Sequence, residues 1–408
     1  MSTLSPFRRG QGSFKWLWGA TVSAGLSEGL ALTVIPLLMT TLTRDPVLVS
    51  LLQTGAALPW LLFGLQAGAL VDRWDRGRTL FFCDIARATL VAALVVIVSF
   101  NALQVWTLYA FVFLSAIATV LFRAAETAIL PSIVESEDLG RANSALKTGQ
   151  SISGSFVGPA LGGVLIGVSV LASLCVQAAS FAASAFCLGR LPHRSRKPEP
   201  SGLSLGAEVR DGLRFVWSDR VLRTLLGAAA LQGAGIWMLM AVLVLFALQV
   251  LAVPAAAYGV LITAYAVGSF MGAAVCGPVE TRLGSRTSLV LAAALAGAAV
   301  ISLSASVSYV LALICMLVLG VAGMALTILA LTLRQRRTPN GILGRASSLY
   351  NVVNVGSAPF VAPLSGYIGS HFGLAMAVAV AGGCLVVAAA VLLVGLRGSP
   401  AVFEEVQT

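Results

Sequence analysis

The chain has 408 residues, of which 58% are hydrophobic and only 10% are charged, with a mean hydropathy of +0.94. Soluble domains carry about a quarter charged residues, so this composition argues against a soluble protein and favours a polytopic helical membrane protein. The formal net charge of +10 would suit nucleic acid only if the basic residues formed a clustered surface with base-stacking aromatics.

Apolar segments predict the membrane-spanning helices. A spanning helix needs about 20 apolar residues, and the chain has room for twelve such segments between charges, Gly, Pro or polar turns. No cleavable signal is predicted before the first one. The predicted helices are 14–42, 47–71, 79–100, 104–130, 142–167, 169–190, 222–250, 255–277, 287–307, 309–333, 346–370 and 374–396. The predicted fold class is therefore an all-α integral membrane protein.

Lys and Arg residues predict the orientation. They concentrate in the loops after helices 2, 4, 6, 8 and 10 and near both ends of the chain, whereas only Arg44 falls in a loop of the other side. By the positive-inside rule, both termini are cytoplasmic, in a multi-pass protein of the cytoplasmic (inner) membrane. Because this distribution accounts for the basic charge, no nucleic-acid partner is predicted.

The two halves of the chain are related by an internal duplication. LGRANSAL at 139–146 returns as LGRASSL at 343–349, and the same offset of 204 residues carries Pro159 onto Pro363. Parallel repeats of this kind place a substrate pathway at their interface. The predicted domains are a six-helix bundle over 1–190, a cytoplasmic linker over 191–221 and a second six-helix bundle over 222–408.

The linker is the one long polar connection in the sequence. Its first part is rich in Pro and Arg, and from Leu205 to Trp217 apolar residues recur at helical spacing between charges. This pattern predicts an amphipathic helix that lies at the inner membrane surface. A disordered tether is the alternative that the sequence leaves open.

A charged turn interrupts the apolar sequence between helices 2 and 3. Within GLQAGALVDRWDRGR, residues 64–78, the charges are Asp72, Arg73, Asp75, Arg76 and Arg78. Unpaired charges are too costly in hydrocarbon, so this turn must lie in water between two embedded helices. An offset of 209 residues pairs it with a weaker copy at 277–286.

Together with Gly68, this turn resembles the loop 2–3 signature of the major facilitator superfamily, Gly-x-Leu-Ala-Asp-Arg-x-Gly-Arg-Arg. Asp75 stands where that signature has glycine, which resembles the enterobactin-exporter and macrolide-efflux type branch, as does the segment 122–143. The resemblance covers the whole chain. It implies a transporter of twelve helices in two pseudo-symmetric six-helix bundles that rock around a central cavity.

The resemblance also gives the charged turn a gating role. It implies that Asp72 meets the start of helix 11 in the outward-facing state, where the segment near Gly344 supplies free backbone N–H groups suited to a carboxylate. Such a contact is worth on the order of 0.3–2 kcal/mol. The predicted conformational gate comprises Gly68, Asp72, Arg73, Asp75, Arg76, Arg78, Gly344 and Arg345.

Helix 5 carries a glycine-rich pattern that matches GxxxGPxxGG and resembles the antiporter motif of drug–proton exporters. Its defined positions are Gly154, Gly158, Pro159, Gly162 and Gly163. Glycines four residues apart form a bare stripe that lets another helix approach closely, and the proline weakens the helix beside it. Ordinary small-residue packing is the alternative to a functional role.

Proton coupling needs a group that gains and loses a proton while it is screened from bulk water. Glu28 lies at the midpoint of helix 1 and is the only acid that we place near mid-membrane, with no partner evident from local sequence. Burying it costs about 3 kcal/mol. It is predicted to couple protons or to bind a cationic substrate, and a satisfied interhelical glutamate is the alternative.

Two further acid–arginine pairs have helical spacing. Asp84 and Arg87 are three residues apart on helix 3, about one turn inside the membrane, and Arg123 and Glu126 are three apart late in helix 4. Structural ion pairs, a proton relay and a shared cytoplasmic gate all fit these pairs. Arg123 is followed by alanine, whereas the drug-exporter signature has glycine. The second half has no acid within its predicted spans, so proton chemistry is placed in the first half.

Polar and aromatic residues at mid-membrane are candidates for a substrate wall. A broad apolar pocket with a few hydrogen-bonding groups suits bulky amphipathic compounds. Taken singly, each candidate also suits a lipid-facing or packing role. The candidates are Glu28, Gln53, Trp60, Phe63, Gln150, Gln232, Trp237, Met238, Tyr265, Asn351 and Asn354.

These observations predict a secondary transporter that exports hydrophobic or amphipathic small molecules, such as drugs, antibiotics or secondary metabolites, by proton antiport with alternating access. The sequence has no phosphate-binding Gly-rich loop with Lys-Ser/Thr, which argues against ATP as the energy source. The lack of HExxH, paired intramembrane aspartates and GxSxG argues against an enzyme. Because the six cysteines form no CxxC pair, neither a metal site nor a cofactor is predicted.

Other functions remain open at this stage. A siderophore exporter, an importer or uniporter of the same fold, and a membrane sensor that binds a ligand without moving it all fit the sequence. The predicted partners are a small-molecule substrate, protons and the lipid bilayer, and the protein is expected to act as a monomer.

Overall fold

A computed structural model describes residues 11–191, 214–338, 349–350 and 352–397. We number the helices of these ranges α1 to α12 in chain order. They are α1 Gln11–Leu42, α2 Pro46–Arg73, α3 Arg76–Ser99, α4 Val105–Ile133, α5 Leu139–Val168, α6 Val170–Gly189, α7 Arg220–Val250, α8 Ala255–Leu283, α9 Ser285–Ser304, α10 Tyr309–Arg337, α11 Ala358–Phe372 and α12 Leu374–Gly395. All but α11 are long and apolar enough to cross a membrane.

The predicted all-α membrane fold is confirmed, and eleven predicted spans coincide with described helices. The span predicted at 346–370 is described only in part, and α11 covers its second half. Several helices run further than predicted at their charged ends, because hydropathy marks where hydrocarbon ends while backbone hydrogen bonding continues into the polar interface. Thus α8 continues to Leu283 and α10 to Arg337. Most of the predicted amphipathic helix lies outside the described residues, and 214–218 are helical.

The two halves make their tight turns by different chemistry. Asp75 caps α3 by accepting a hydrogen bond from the Arg78 N–H at 2.8 Å, and Ser169 caps α6. In the second half, Gly284 and Gly373 stand at the corresponding turns with φ of 77° and 89°. Glycine is favoured at positive φ, whereas a capping side chain works from extended backbone. Asp75 therefore departs from the family signature without strain, since its φ is −68°.

The described chain groups into two compact units. The short segments at the starts of α2 and α8 group with the unit formed by the opposite half. One unit comprises Met1–Thr43, Leu58–Ser201 and Pro254–Thr263, and the other comprises Arg44–Ala57, Gly202–Val253 and Ala264–Thr408. The simpler division into bundles at 190 and 222 remains a prediction.

Helix α5 is not regular along its whole length. Ser151–Val157 form a π-helical segment, in which the Gly158 N–H donates to Ser153 O, five residues back. Pro159 has no N–H to continue the α-helical ladder, so the widened turn falls directly before it. The glycine motif of helix 5 thus begins inside an irregular segment.

The glycine stripe brings α5 into backbone contact with α1. A Cβ atom placed on Gly158 would lie 2.6 Å from Gly29 Cα, and one on Gly154 would lie 3.1 Å from Gly25 O. Thr33 also donates from its hydroxyl to Pro159 O at 3.2 Å. Only glycine permits helices to approach this closely, so the stripe positions α1 directly against α5.

We predict that Gly158→Ala destabilises the protein by about 1–3 kcal/mol, because the new methyl group would overlap the backbone of α1. Thermal unfolding of the purified protein in detergent would measure the change. Gly227→Ala is the matched control, since its Cβ would meet only Val391 at an ordinary 3.9 Å. Equal unfolding temperatures for both variants would contradict the close crossing.

Candidate functional site

Five charged side chains of the first unit form one connected network. Arg87 pairs with Glu28 at 2.8 Å and Arg123 pairs with Glu126 at 2.9 Å. Arg87 also pairs with Asp84, and Arg123 also pairs with Glu28. Glu28 on α1 therefore stands between an arginine of α3 and an arginine of α4, and it ties the three helices together.

Access to water differs along the network. The side chains of Asp84 and Arg87 are fully buried, Glu126 is 6% exposed and Arg123 is 14% exposed, whereas Glu28 is 27% exposed. Glu28 is thus the member that a proton or a cation reaches most readily. Burying charges is tolerable only when they are paired, and here every member has an opposite charge as its neighbour.

Neutral polar side chains complete the network. The Thr21 hydroxyl donates to Glu126 Oε1 at 2.6 Å, and the Ser184 hydroxyl donates to Asp84. With its amide oxygen facing Arg123, Gln150 accepts from Arg123 Nη1 at 2.8 Å. Sequence reasoning proposed Gln150 only as a wall residue, and it missed the two hydroxyls because a buried Thr or Ser carries no signal of its partner.

Two aromatic rings lie close to the Arg87 guanidinium group. The guanidinium carbon lies 4.4 Å from the centre of the Phe122 ring and 4.6 Å from that of Phe181. Cation–π attraction is strongest in such desolvated settings. This attraction offsets part of the free-energy cost of burying Arg87 Nε, which has no hydrogen-bond partner.

The network gives Glu28 the ion-pair partners that local sequence did not reveal. Glu28 was predicted near mid-membrane with no partner evident from local sequence, and Asp84 about one turn inside the membrane; both depths remain predictions. Because Arg87 bonds both carboxylates, the two acids lie within the reach of one side chain. The two acid–arginine pairs that were predicted on α3 and α4 are linked to each other through Glu28, and a gating role for them remains a prediction.

The net formal charge of the network is negative. Three carboxylates face two guanidinium groups, which leaves one excess negative charge when every group is ionised. Uptake of one proton by a carboxyl group would bring the network to neutrality. Among the described residues, no three His, Cys, Asp or Glu side chains are placed to hold a metal ion.

The 204-residue offset maps this network onto neutral residues of the second unit. The residues 204 positions after Glu28, Arg123 and Gln150 are, in order, Gln232, Thr327 and Asn354. Gln232 donates from Nε2 to Thr327 Oγ1 at 3.2 Å, so a neutral hydrogen bond stands where the first half has an ion pair. The two copies therefore share this contact, and only the first carries charge.

The surroundings of this neutral pair are open and polar. Gln232 Nε2 also donates to Gly323 O at 3.2 Å, and a Cβ on Gly323 would meet no atom within 4 Å. Trp237 donates from its indole N–H to Asn354 O at 3.1 Å. Of the predicted wall residues, Trp237 and Asn354 are thus in contact with each other, while Gln232 is bonded to α10.

The remaining wall candidates are dispersed. Trp60 and Phe63 are exposed on α2, while Gln53 and Tyr265 are half-buried. Met238 is 2% exposed and packs in the core, so it offers no accessible wall in this structure. Asn351 lies outside the described residues.

The predicted gate is described only in part. Asp75 caps α3, Arg76 donates to Ala128 O of α4 at 2.8 Å, and Arg73 and Arg78 are exposed. The backbone at Gly68 and Asp72 is helical, but the Asp72 side chain, Gly344 and Arg345 lie outside the described part of the chain. The gating contact therefore remains a prediction.

The predicted antiporter motif borders the network. Its glycines at 154 and 158 pack against α1 around Glu28, and Gly162 lies beside Leu30 and Thr33. Gly163 faces the start of α8, where a Cβ would lie 2.8 Å from Ala256 O. The motif therefore fixes the helix that carries Glu28.

A family model described as transmembrane secretion effector matches residues 1–402. The chain belongs to this family of the major facilitator superfamily. The prediction of a major facilitator protein of the efflux branch is thereby confirmed. Members of the superfamily are membrane transporters, so the expected multi-pass membrane protein and small-molecule transport follow at this coarse level.

Curated relatives of the family match over part of their length. The uncharacterized MFS-type transporter YfiS of Bacillus subtilis is 30% identical over 217 residues, covering 52% of this chain and 50% of the relative. The multidrug efflux pump Tap of Mycobacterium tuberculosis is 28% identical over 219 residues, covering 50% and 51%. Macrolide efflux protein A of Streptococcus pyogenes is 24% identical over 216 residues, covering 52% and 53%. The matches thus span about half the length of these relatives.

Solved structures show the same fold. The nucleoside transporter NupG has a TM-score of 0.76 at 13% identity, covering 94% of this chain and 99% of that one. A bacterial homologue of the iron transporter ferroportin has a TM-score of 0.74 at 17% identity, covering 94% and 98%. At such low identity, these likenesses establish the major facilitator fold alone.

We predict that Arg87→Met costs about 3–5 kcal/mol of stability, because it leaves Asp84 buried without its ion-pair partner. Combining it with Asp84→Asn should recover most of that loss. Thermal unfolding in detergent would measure both. Arg282→Met, at an exposed helix end, is the control for loss of an arginine. A double variant no more stable than Arg87→Met would contradict the pairing.

Proposed function

We propose that this chain exports hydrophobic or amphipathic small molecules in exchange for protons, by alternating access between its two pseudo-symmetric halves. The observation that carries the proposal is the network centred on Glu28, which combines an accessible carboxylate, buried counter-charges and one excess negative charge. The names of two relatives, a multidrug efflux pump and a macrolide efflux protein, support export of such compounds.

Protonation of Glu28 would supply the coupling. A neutral carboxyl group no longer attracts Arg87 and Arg123, so α1 would lose its two ionic ties to α3 and α4 while the flanking carboxylates keep both arginines paired. The proton thus weakens the contacts between helices without leaving a buried charge alone. Such a change in the free energy of one conformation over another is what a coupling ion must provide.

The neutral copy in the second unit would bind the substrate. Gln232, Thr327 and Asn354 carry amide and hydroxyl groups that need no counter-charge, which suits the hydroxyl, carbonyl or amide groups of an amphipathic compound. Because the two copies differ in charge, the two functions fall in different halves. The proton binds in the charged half, and the substrate binds in the neutral half.

We predict that Glu28→Gln abolishes substrate accumulation driven by a pH gradient but leaves exchange of substrate across the membrane without a gradient. The amide keeps the shape and some hydrogen bonds of the side chain, but it cannot release a proton. The measurement uses purified protein in liposomes that are acidic inside, with ethidium or erythromycin as the transported compound.

Glu280→Gln is the matched control, because Glu280 lies outside the network and bonds Ser285 at 2.5 Å. Gradient-driven accumulation by Glu28→Gln equal to that of the unaltered protein would remove Glu28 from coupling. Flux that never depends on the gradient would favour an importer or uniporter. Binding without any flux would favour a sensor, and transport of catecholate siderophores alone would favour a siderophore exporter.

We also predict that Thr327→Val raises the substrate concentration needed for half-maximal transport by about threefold to tenfold, the value of one hydrogen bond. Its dependence on the pH gradient should not change. Initial rates in the same liposomes give both quantities. Thr263→Val is the control, since that hydroxyl bonds only Gly259 O of its own helix in the described structure. Loss of gradient dependence in Thr327→Val would contradict the division between the halves.

A further inference from the structure

A groove of about 920 Å³ runs along an exposed face of α3 and α4 in the first unit. Its wall is apolar and largely exposed, since Phe82 is 63% exposed and Leu114 is 47% exposed. The residues that form the wall are Phe82, Ala86, Leu90, Leu114, Ile117 and Leu121. In a membrane-spanning helix pair, an exposed apolar groove of this kind faces the acyl chains of the bilayer.

The length of the groove matches one leaflet. From Thr79 to Leu90 the lining of α3 extends over eleven residues, or about 17 Å at 1.5 Å per residue. Half of the hydrocarbon core of a bilayer is about 15 Å thick. The groove therefore has the length of an acyl chain that reaches from the membrane surface to the midplane.

One end of the groove is basic. Arg73 and Arg78 line it there and are exposed, beside Trp74, which is 50% exposed. The acid at that end, Asp75, is engaged in capping α3. The basic-residue rule places this end at the cytoplasmic surface, where the inner leaflet carries anionic lipids.

We propose that the groove is a binding site for one anionic phospholipid of the inner leaflet. Its phosphate lies between Arg73 and Arg78, and one acyl chain lies along Phe82, Leu90 and Leu114. An apolar transport substrate would fit the wall but would gain nothing from two exposed arginines. The lipid assignment rests on the groove alone and does not depend on the proposed transport activity.

The groove is distinct from the charged network, although the same two helices form both. Asp84 and Arg87 are fully buried on the inner face of α3, whereas Phe82 and Ala86 are exposed on the groove face. Substitutions that fill the groove or alter its basic end therefore leave the network contacts in place.

Native mass spectrometry of the purified full-length protein, titrated with phosphatidylglycerol or phosphatidylcholine, tests the proposal. Each basic contact is worth roughly a factor of five, so Arg73→Gln with Arg78→Gln should weaken phosphatidylglycerol binding about 25-fold. Phosphatidylcholine binding should change little. Arg73→Lys with Arg78→Lys should retain the preference for phosphatidylglycerol, because it keeps both charges.

Three further variants distinguish lost lipid binding from misfolding. Ala86→Trp fills the groove without changing charge and should weaken binding of both lipids, while Val96→Trp, an exposed α3 position outside the groove, should not. Arg282→Gln with Arg286→Gln removes two arginines from the second unit and should leave the preference intact. Equal affinity of the unaltered protein for the two lipids would overturn the proposal, as would loss of the preference in the second-unit control or tight binding that survives Ala86→Trp.

Discussion

Glu28 is held between Arg87 and Arg123, and this double ion pair is the interaction on which the first unit depends. Charges inside a membrane are tolerated when each has a partner of opposite sign, and α1, α3 and α4 meet at one place where all five groups are paired. Glu28 also sits where α1 presses against the glycines of α5. A change in its charge therefore acts on every helix that packs against α1.

The two halves of the chain show how a duplicated fold divides its chemistry. The contact between α1 and α4 recurs between α7 and α10, as an ion pair in one half and an amide–hydroxyl bond in the other. A charged site in each half would require counter-charges in both. With one half neutral, the excess negative charge of the first half has no counterpart at the corresponding positions of the second. The turns differ in the same way, with capping side chains in the first half and positive-φ glycines in the second.

Helices α3 and α4 each have two faces with different chemistry. The inner faces carry the buried charges, and the outer faces form a groove with a basic end. Asp84 and Phe82 are two residues apart, so the lipid environment and the network are separated by the width of one helix. A lipid bound in the groove and the charged network would therefore contact different faces of the same two helices, although each can be altered by its own substitutions.

The sequence by itself determined the number and order of the helices, the duplication and the glycine stripe, because hydropathy, repeat offsets and GxxxG spacing are local properties. It also selected Glu28, Asp84, Arg87, Arg123 and Glu126 as the residues of interest. Only the tertiary structure decided that they form one network, since Glu28 is 59 residues from Arg87 and 95 from Arg123. The rotation of each helix about its axis sets such pairings, and that rotation depends on packing with every neighbour. For the same reason, only the tertiary structure revealed the bond between Ser184 and Asp84, which are 100 residues apart, and the neutral pair of Gln232 with Thr327.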